Sequence, residues 1–224
     1  MKKAQKIFDY ALIAAMAILI IVVAVVREQT FIKTLPTLIT LIVQLMVVRV
    51  NRFAYLLGGV NALLYGISYY SEGLYFSLIS TCLMSALLQF CSFASWSKKA
   101  KTGAPLLRFL GFKKIVLVIG VLLVGWGICV FGLSHLFTSS TYPVLDTYLF
   151  VAGVISALLV AWRYVEAQYL NIVSMVVSVV LWGLLTVRNP ANFNYVLINM
   201  YNLYRVIQGA VSWTKKCCEM KVEN

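Results

Sequence analysis

The sequence predicts an all-α integral membrane protein of about eight transmembrane helices, one extra at the front and then a core of three, one and three. Three observations carry this. Of the 224 residues, 62% are hydrophobic and only 12% charged, about half the 25% charged share of a soluble domain. The apolar residues come in runs of the length needed to cross a hydrocarbon core of about 30 Å. The basic residues fall almost entirely between alternate runs.

The first run, 8–26, follows Met1-Lys2-Lys3. From Tyr10 to Val26 it is long for a signal-peptide core, and no clear small-x-small cleavage site follows it before Arg27-Glu28, so it is expected to stay as a helix. Runs 34–48 and 53–70 follow, and Ser71-Glu72-Gly73 turns the chain into 74–96. A lysine-rich connection, Ser97 to Lys114, carries Gly103 and Pro105 and leads to 115–136. Thr141-Tyr142-Pro143 forms the loop before 147–162; then come 168–187, a turn at Asn189-Pro190, and 193–213. Helices suit these runs because each satisfies its own backbone polar groups within the bilayer. A barrel would show segments of about ten alternating residues, and none is present.

The charges test the count. With the first residue inside, inside segments hold Lys2, Lys3, Lys6, Arg49, Arg52, Lys98, Lys99, Lys101, Arg108, Lys113, Lys114, Arg163, Lys215, Lys216 and Lys221. Outside segments hold Arg27, Lys33 and Arg188, and Arg205 falls within the last run. That is a strong positive-inside bias. Removing one helix puts a basic cluster on the wrong side, so the expectation is eight spans with both ends in the cytoplasm, in the inner membrane. The net charge of +12 is thereby read as a topology signal and not as a nucleic-acid surface.

A shift of 117 residues brings Tyr65-Gly66 onto Trp182-Gly183, Phe76 onto Phe193 and Ser95-Trp96 onto Ser212-Trp213. Segments 34–96 and 147–213 then match without a gap, as parallel repeats about a linker helix, a layout that some small transporters use. The chain divides into an extra helix (1–33), a first three-helix repeat (34–96), a basic loop with the linker helix (97–146), a second repeat (147–213) and a cytoplasmic tail (214–224).

Polar residues inside a span must face protein or water. Ser77, Thr81, Ser85, Gln89 and Ser92 form one stripe on the fourth segment, and Tyr195, Asn199, Asn202 and Arg205 its counterpart on the last, flanked by Tyr201 and Gln208. Small hydroxyls serve interhelical hydrogen bonds in any bundle. Large amides are harder to satisfy incidentally, so Gln89, Asn199 and Asn202 point to a ligand cavity near the midplane. Arg205 has three readings: substrate contact, a cap on neighbouring carbonyls, or snorkelling to the edge. Most tryptophans near segment ends suit an interfacial belt; Tyr65, Trp182, Tyr169 and Tyr201 lie where they can stack on a flat ring.

The absences are informative too. All seven acids read as lying in loops, tails or helix ends, so no carboxylate is expected mid-membrane to couple Na⁺ or protons. There is no phosphate loop, no Ser–His pair or HExxH, and a single histidine, His135, so no catalytic, metal or cofactor site is expected. The five cysteines are read as reduced and structural. What remains is passive passage of a small molecule, or else a non-transporting accessory protein of the membrane.

The stretch Ala54-Tyr-Leu-Leu-Gly-Gly-Val-Asn-Ala-Leu-Leu-Tyr65-Gly66, then Gly73-Leu-Tyr75, Gln89 to Trp96, and Asn199-Met-Tyr-Asn202-Leu-Tyr204 with Gly209 and Trp213, resembles the PnuC-type vitamin transporters over roughly 34–213. The resemblance implies a fold like the full-length SWEET sugar facilitators, a homotrimer, and facilitated diffusion of an unphosphorylated vitamin or nucleoside that a kinase then traps. The inward polar and aromatic residues Tyr65, Thr81, Ser85, Gln89, Tyr169, Asn171, Asn199, Tyr201, Asn202 and Arg205 are the expected substrate site. Nicotinamide riboside members of that family carry a Trp-x-x-Trp motif where this chain has Tyr169-Leu170-Asn171-Ile172. That departure, with Arg205, moves the expected substrate from nicotinamide riboside toward a neutral nucleoside.

Overall fold

The computed structural model describes residues 3–101, 107–133 and 141–222. All its regular elements are helical apart from a single bridge between Arg108 and Tyr164. The helices are α1 (Lys3–Val26), α2 (Phe31–Val48), α3 (Phe53–Ser71), α4 (Tyr75–Ile79), a π-helical turn (Ser80–Ser85), α5 (Ala86–Lys101), α6 (Phe112–Ile128) with a π-helical end (Cys129–Leu133), α7 (Pro143–Ala161), α8 (Glu166–Arg188), a short 3₁₀ turn (Pro190–Asn192) and α9 (Phe193–Val222). α4, the π turn and α5 form one rod. Among the described residues, six helices are long and apolar enough to cross a membrane: Ile7–Val26, Phe31–Val48, Tyr75–Lys98, Phe112–Gly132, Pro143–Ala161 and Glu166–Arg188. α3 and α9 are helical but more polar, because they carry much of the interior hydrogen bonding described below.

Six rods close into a ring. α2 packs on α3, α3 on α5, α5 on α7, α7 on α8, α8 on α9, and α9 returns to α2. α1 lies outside, against α2 and α9, and α6 lies outside against α7. α6 buries none of its side chains, and Leu117, Phe112 and Phe131 are well exposed. Such an apolar outer surface would be a liability in water and is the natural face toward lipid.

Several expectations need correction. The basic connection is shorter than read, since α5 runs on to Lys101 and α6 begins at Phe112; its residues 102–106, and His135, lie outside the described residues. The tail continues α9 to Val222. Two acids expected at helix ends or loops are fully engaged inside. Asp9 sits within α1, 2% exposed. Asp146, in the first turn of α7 and wholly buried, accepts from the backbone N–H of Phe76 (3.1 Å) and Ser77 (3.0 Å) and from the Ser77 hydroxyl. It thereby caps the start of α4 from a neighbouring helix, satisfying amides that a helix cannot satisfy itself.

One hydrogen-bond pattern occurs twice. The Trp96 indole donates to the Val160 carbonyl and the Trp213 indole to the Val47 carbonyl, both at 3.1 Å. The preceding serines do the same, Ser95 to Ala161 (3.4 Å) and Ser212 to Val48 (3.1 Å). The accepting helices, α7 and α2, both end on a left-handed residue, Arg163 (φ 64°) and Val50 (φ 58°). The tryptophans are 117 positions apart but their acceptors are 113 apart, so the gapless register does not hold. α8 has 23 residues against 19 in α3, one more helical turn, which absorbs the difference.

Candidate functional site

The ring encloses a cavity of about 350 Å³. Each rod contributes one face, and the spacing shows why. α3 supplies Tyr55, Gly58, Asn61, Tyr65 and Tyr69, at steps of three and four. The rod of α4, the π turn and α5 supplies Ser77, Ser80, Thr81, Ser85, Gln89 and Ser92, so all five residues of the predicted stripe line the space. α8 adds Gln168, Asn171, Ser174, Ser178 and Trp182; α2 adds Thr40 and Gln44; α9 adds Asn199 and Asn202. No charged side chain lines it among the described residues.

Aromatic clusters stand at the two ends. Tyr55, Trp96 and Trp213 pack together near the basic ends of the helices, with Val47 and Val160 against them. At the other end Trp182 and Tyr195 pack with Leu74, Tyr65 and Tyr69, their rings 4.1 Å apart between Trp182 and Tyr195.

The amides between these clusters differ in how far they are committed. Asn199 accepts from the Ser178 hydroxyl (2.9 Å) and donates to the Tyr195 carbonyl (2.6 Å). Asn171 accepts from Ser156 (2.6 Å). Asn61 donates to Thr40 (2.8 Å), whose hydroxyl lies 3.2 Å from that of Tyr65. By contrast, the buried carbonyl oxygens of Asn61 and Asn202 have no hydrogen-bond partner among the described residues. An unmet buried acceptor carries a desolvation penalty of about 1–3 kcal/mol, which a hydrogen-bond donor on a ligand relieves. Gly58 leaves room for Gln89, whose side-chain oxygen occupies the place a Cβ would take.

The structure therefore gathers Tyr65, Thr81, Ser85, Gln89, Asn171, Asn199 and Asn202 around one space, and sets three predicted residues apart. Tyr169 is 49% exposed and bonds Thr214 (2.9 Å); its neighbour Gln168 takes the inward position. Tyr201 turns away from the cavity, its hydroxyl donating to the Leu41 carbonyl (2.9 Å) and accepting from Arg205 Nε (2.9 Å). Arg205 is fully buried against Asp9, with Nη1 at 2.6 Å from Oδ1 and 2.8 Å from Gln208 Oε1. The α9 stripe divides because each step of three falls about 60° short of a full turn, so Arg205 has rotated about 120° from Asn199. Thr40, Gln44, Asn61, Gln168, Ser174 and Ser178 were missed. The signal existed for Gln44, Asn61 and Gln168, as amides inside apolar runs, the same sign that marked Gln89.

A family model described as nicotinamide mononucleotide transporter matches residues 30–215. The chain belongs to that family. Like its other members it is a multi-pass membrane protein, and the family is one of transporters, not enzymes. The chain is 28% identical over 169 residues to the nicotinamide riboside transporter PnuC of Neisseria mucosa. That match takes in 72% of this chain and 63% of the relative's length. Among solved structures, a crystal structure of the vitamin B3 transporter PnuC has the same fold, with a TM-score of 0.80 at 22% identity, covering 95% of this chain and 92% of the other. For this family member the cavity inside the ring is the candidate site, and α1 lies outside the matched stretch.

Proposed function

We propose that this protein moves an unphosphorylated, nucleoside-like molecule of the vitamin B3 type across the cell's inner membrane by facilitated diffusion. The observation that carries the proposal is the uncharged cavity of about 350 Å³ at the centre of the ring, within the range of about 300–1,000 Å³ usual for small-molecule sites. Its polar lining, from Thr81, Ser85, Gln89, Asn61, Asn171, Asn199 and Asn202, suits the hydroxyls and amide of such a ligand. Tyr65 and Trp182 offer faces for a flat ring. A phosphate group would enter without a cation to meet it, at high desolvation cost; the mononucleotide is therefore disfavoured and a kinase on the inner side traps the product.

Between nicotinamide riboside and a neutral nucleoside, the inward α8 positions weigh for the neutral one. They are Gln168 and Asn171, three apart, which favour hydrogen bonding over a stacked aromatic pair. Arg205 no longer bears on the choice, since Asp9 neutralises it outside the cavity.

The eight rods are read as crossings with both ends in the cytoplasm, on the positive-inside bias. The division into one, three, one and three is supported by the twice-used Ser–Trp bonds, and a homotrimer follows the resemblance. The test is uptake into liposomes by purified protein, with calorimetry, using a neutral nucleoside, nicotinamide riboside and nicotinamide mononucleotide. Binding and flux of a nucleoside, with the mononucleotide inert, is expected. Uptake of the mononucleotide, or binding of none of the three, overturns the reading.

A further inference from the structure

The ring has two seams where its halves meet, α2 with α9 and α5 with α7, and they are built differently. Along the first, polar bonds run from end to end. The Tyr195 hydroxyl, which donates to Ser68 (2.6 Å), lies 3.4 Å from the Lys33 carbonyl; Tyr201 donates to Leu41 (2.9 Å), Ser212 to Val48 and Trp213 to Val47 (both 3.1 Å). Onto this seam α1 adds one carboxylate. Asp9 Oδ1 lies 2.6 Å from Arg205 Nη1 on α9, and Oδ2 lies 3.7 Å from Arg49 Nη2 at the end of α2. Arg49 also donates to Tyr10 (3.1 Å). Asp9 and Arg205 are both buried, so parting them strands charges in a medium of low dielectric.

Across the second seam, the side-chain bonds among the described residues stand only at its ends. Asp146 holds Phe76 and Ser77 at one, and Ser95 and Trp96 reach Ala161 and Val160 at the other. Between them the π turn Ser80–Ser85 faces Gly153, where an added Cβ would stand 3.2 Å from the Ser80 hydroxyl. A π turn is a local irregularity of the kind often found at functional sites, and a glycine contact offers little to hold it.

We propose that Asp9 is a positioning residue for transport: by tying Arg205 to Arg49 it keeps the α2–α9 seam closed and α9's amides in place, so the ring opens at the α5–α7 seam. This rests on the transport reading above. The two Ser-to-carbonyl bonds mark equivalent places for a test. In a chain with its five cysteines replaced (Cys82, Cys91, Cys129, Cys217 and Cys218), one variant carries cysteines at Val48 and Ser212, the other at Ser95 and Ala161. Bridge formation is read by mass spectrometry, nucleoside binding by calorimetry and flux in liposomes. The 48–212 bridge is expected to leave flux within about twofold, and the 95–161 bridge to lower it about tenfold or more, reversibly with reductant, as closing a moving element does. Both bridged forms still bind. Asp9→Asn with Arg205→Gln, which leaves only the part-exposed Arg49 without its carboxylate, lowers flux, and the 48–212 bridge restores it.

Loss of flux on the 48–212 bridge, equal flux through both bridged forms, or failure of that bridge to rescue the neutral pair overturns the proposal while leaving transport standing. A parent chain that neither binds nor moves any nucleoside overturns both. Should the neutral pair not fold, the two bridges in the Asp9-containing chain decide the matter alone.

Discussion

Asp9 and Arg205 are 196 positions apart in sequence and 2.6 Å apart in the fold. The arginine, alone in the last apolar run, looked like a charge without a partner. It is instead half of a buried pair completed by a helix that lies outside the family match. Changing Asp9 to Asn leaves Arg205 buried without a carboxylate, and changing Arg205 to Gln leaves buried Asp9 with only Arg49 at 3.7 Å, beyond hydrogen-bond reach. Each single variant should therefore lose about 3–5 kcal/mol of stability. The double variant should lose less than either. Thermal unfolding in detergent measures this, and single variants that melt with the parent would refute a paired interior charge.

Asn202 and Asn199 sit one turn apart and should behave differently. The Asn202 carbonyl has no hydrogen-bond partner among the described residues, so Asn202→Leu is expected to abolish ligand binding while leaving the melting temperature close to that of the parent. Asn199 joins Ser178 to the Tyr195 carbonyl. Asn199→Leu strands that hydroxyl, at about 1–3 kcal/mol, and should cost both binding and stability. Calorimetric titration beside a melting curve separates the two. Unchanged binding in Asn202→Leu would remove this residue from the site.

Trp96 and Trp213 make the same bond to opposite helices. Phenylalanine in either place keeps a six-membered ring, deletes one hydrogen bond and leaves the space of the lost indole atoms unfilled. Each change should cost more than the hydrogen bond alone, about 1 kcal/mol, and the two losses should agree within error. A loss confined to one tryptophan would speak against equivalent seams at that end of the ring.

Much of this was legible in the sequence. Hydropathy and length gave the helical membrane class, because a backbone in lipid has to satisfy itself. Turns fell where they were read: α3 ends at Ser71, Gly73 takes a positive φ of 68°, and a 3₁₀ turn begins at Pro190. The stripe from Ser77 to Ser92 was readable because hydroxyls and amides inside an apolar run have to point somewhere polar. Steps of four drift about 40° each along an α-helix, and the π-helical turn Ser80–Ser85 within the stripe offsets that drift, so all five line one cavity.

Relationships between helices were not legible. Which face of α9 turns inward depends on its rotation against α2, α8 and α1, and that rotation sent Asn199 and Asn202 inward but Arg205 to Asp9. The register of α8 admits Gln168 in place of Tyr169 for the same reason. Composition and pattern along the chain thus determined the membrane class and the helix ends, with one polar face. Only packing decided which polar groups are spent on each other and which are left for a ligand, because a side chain's partner is set by the neighbour across the interface and not by residues beside it in sequence.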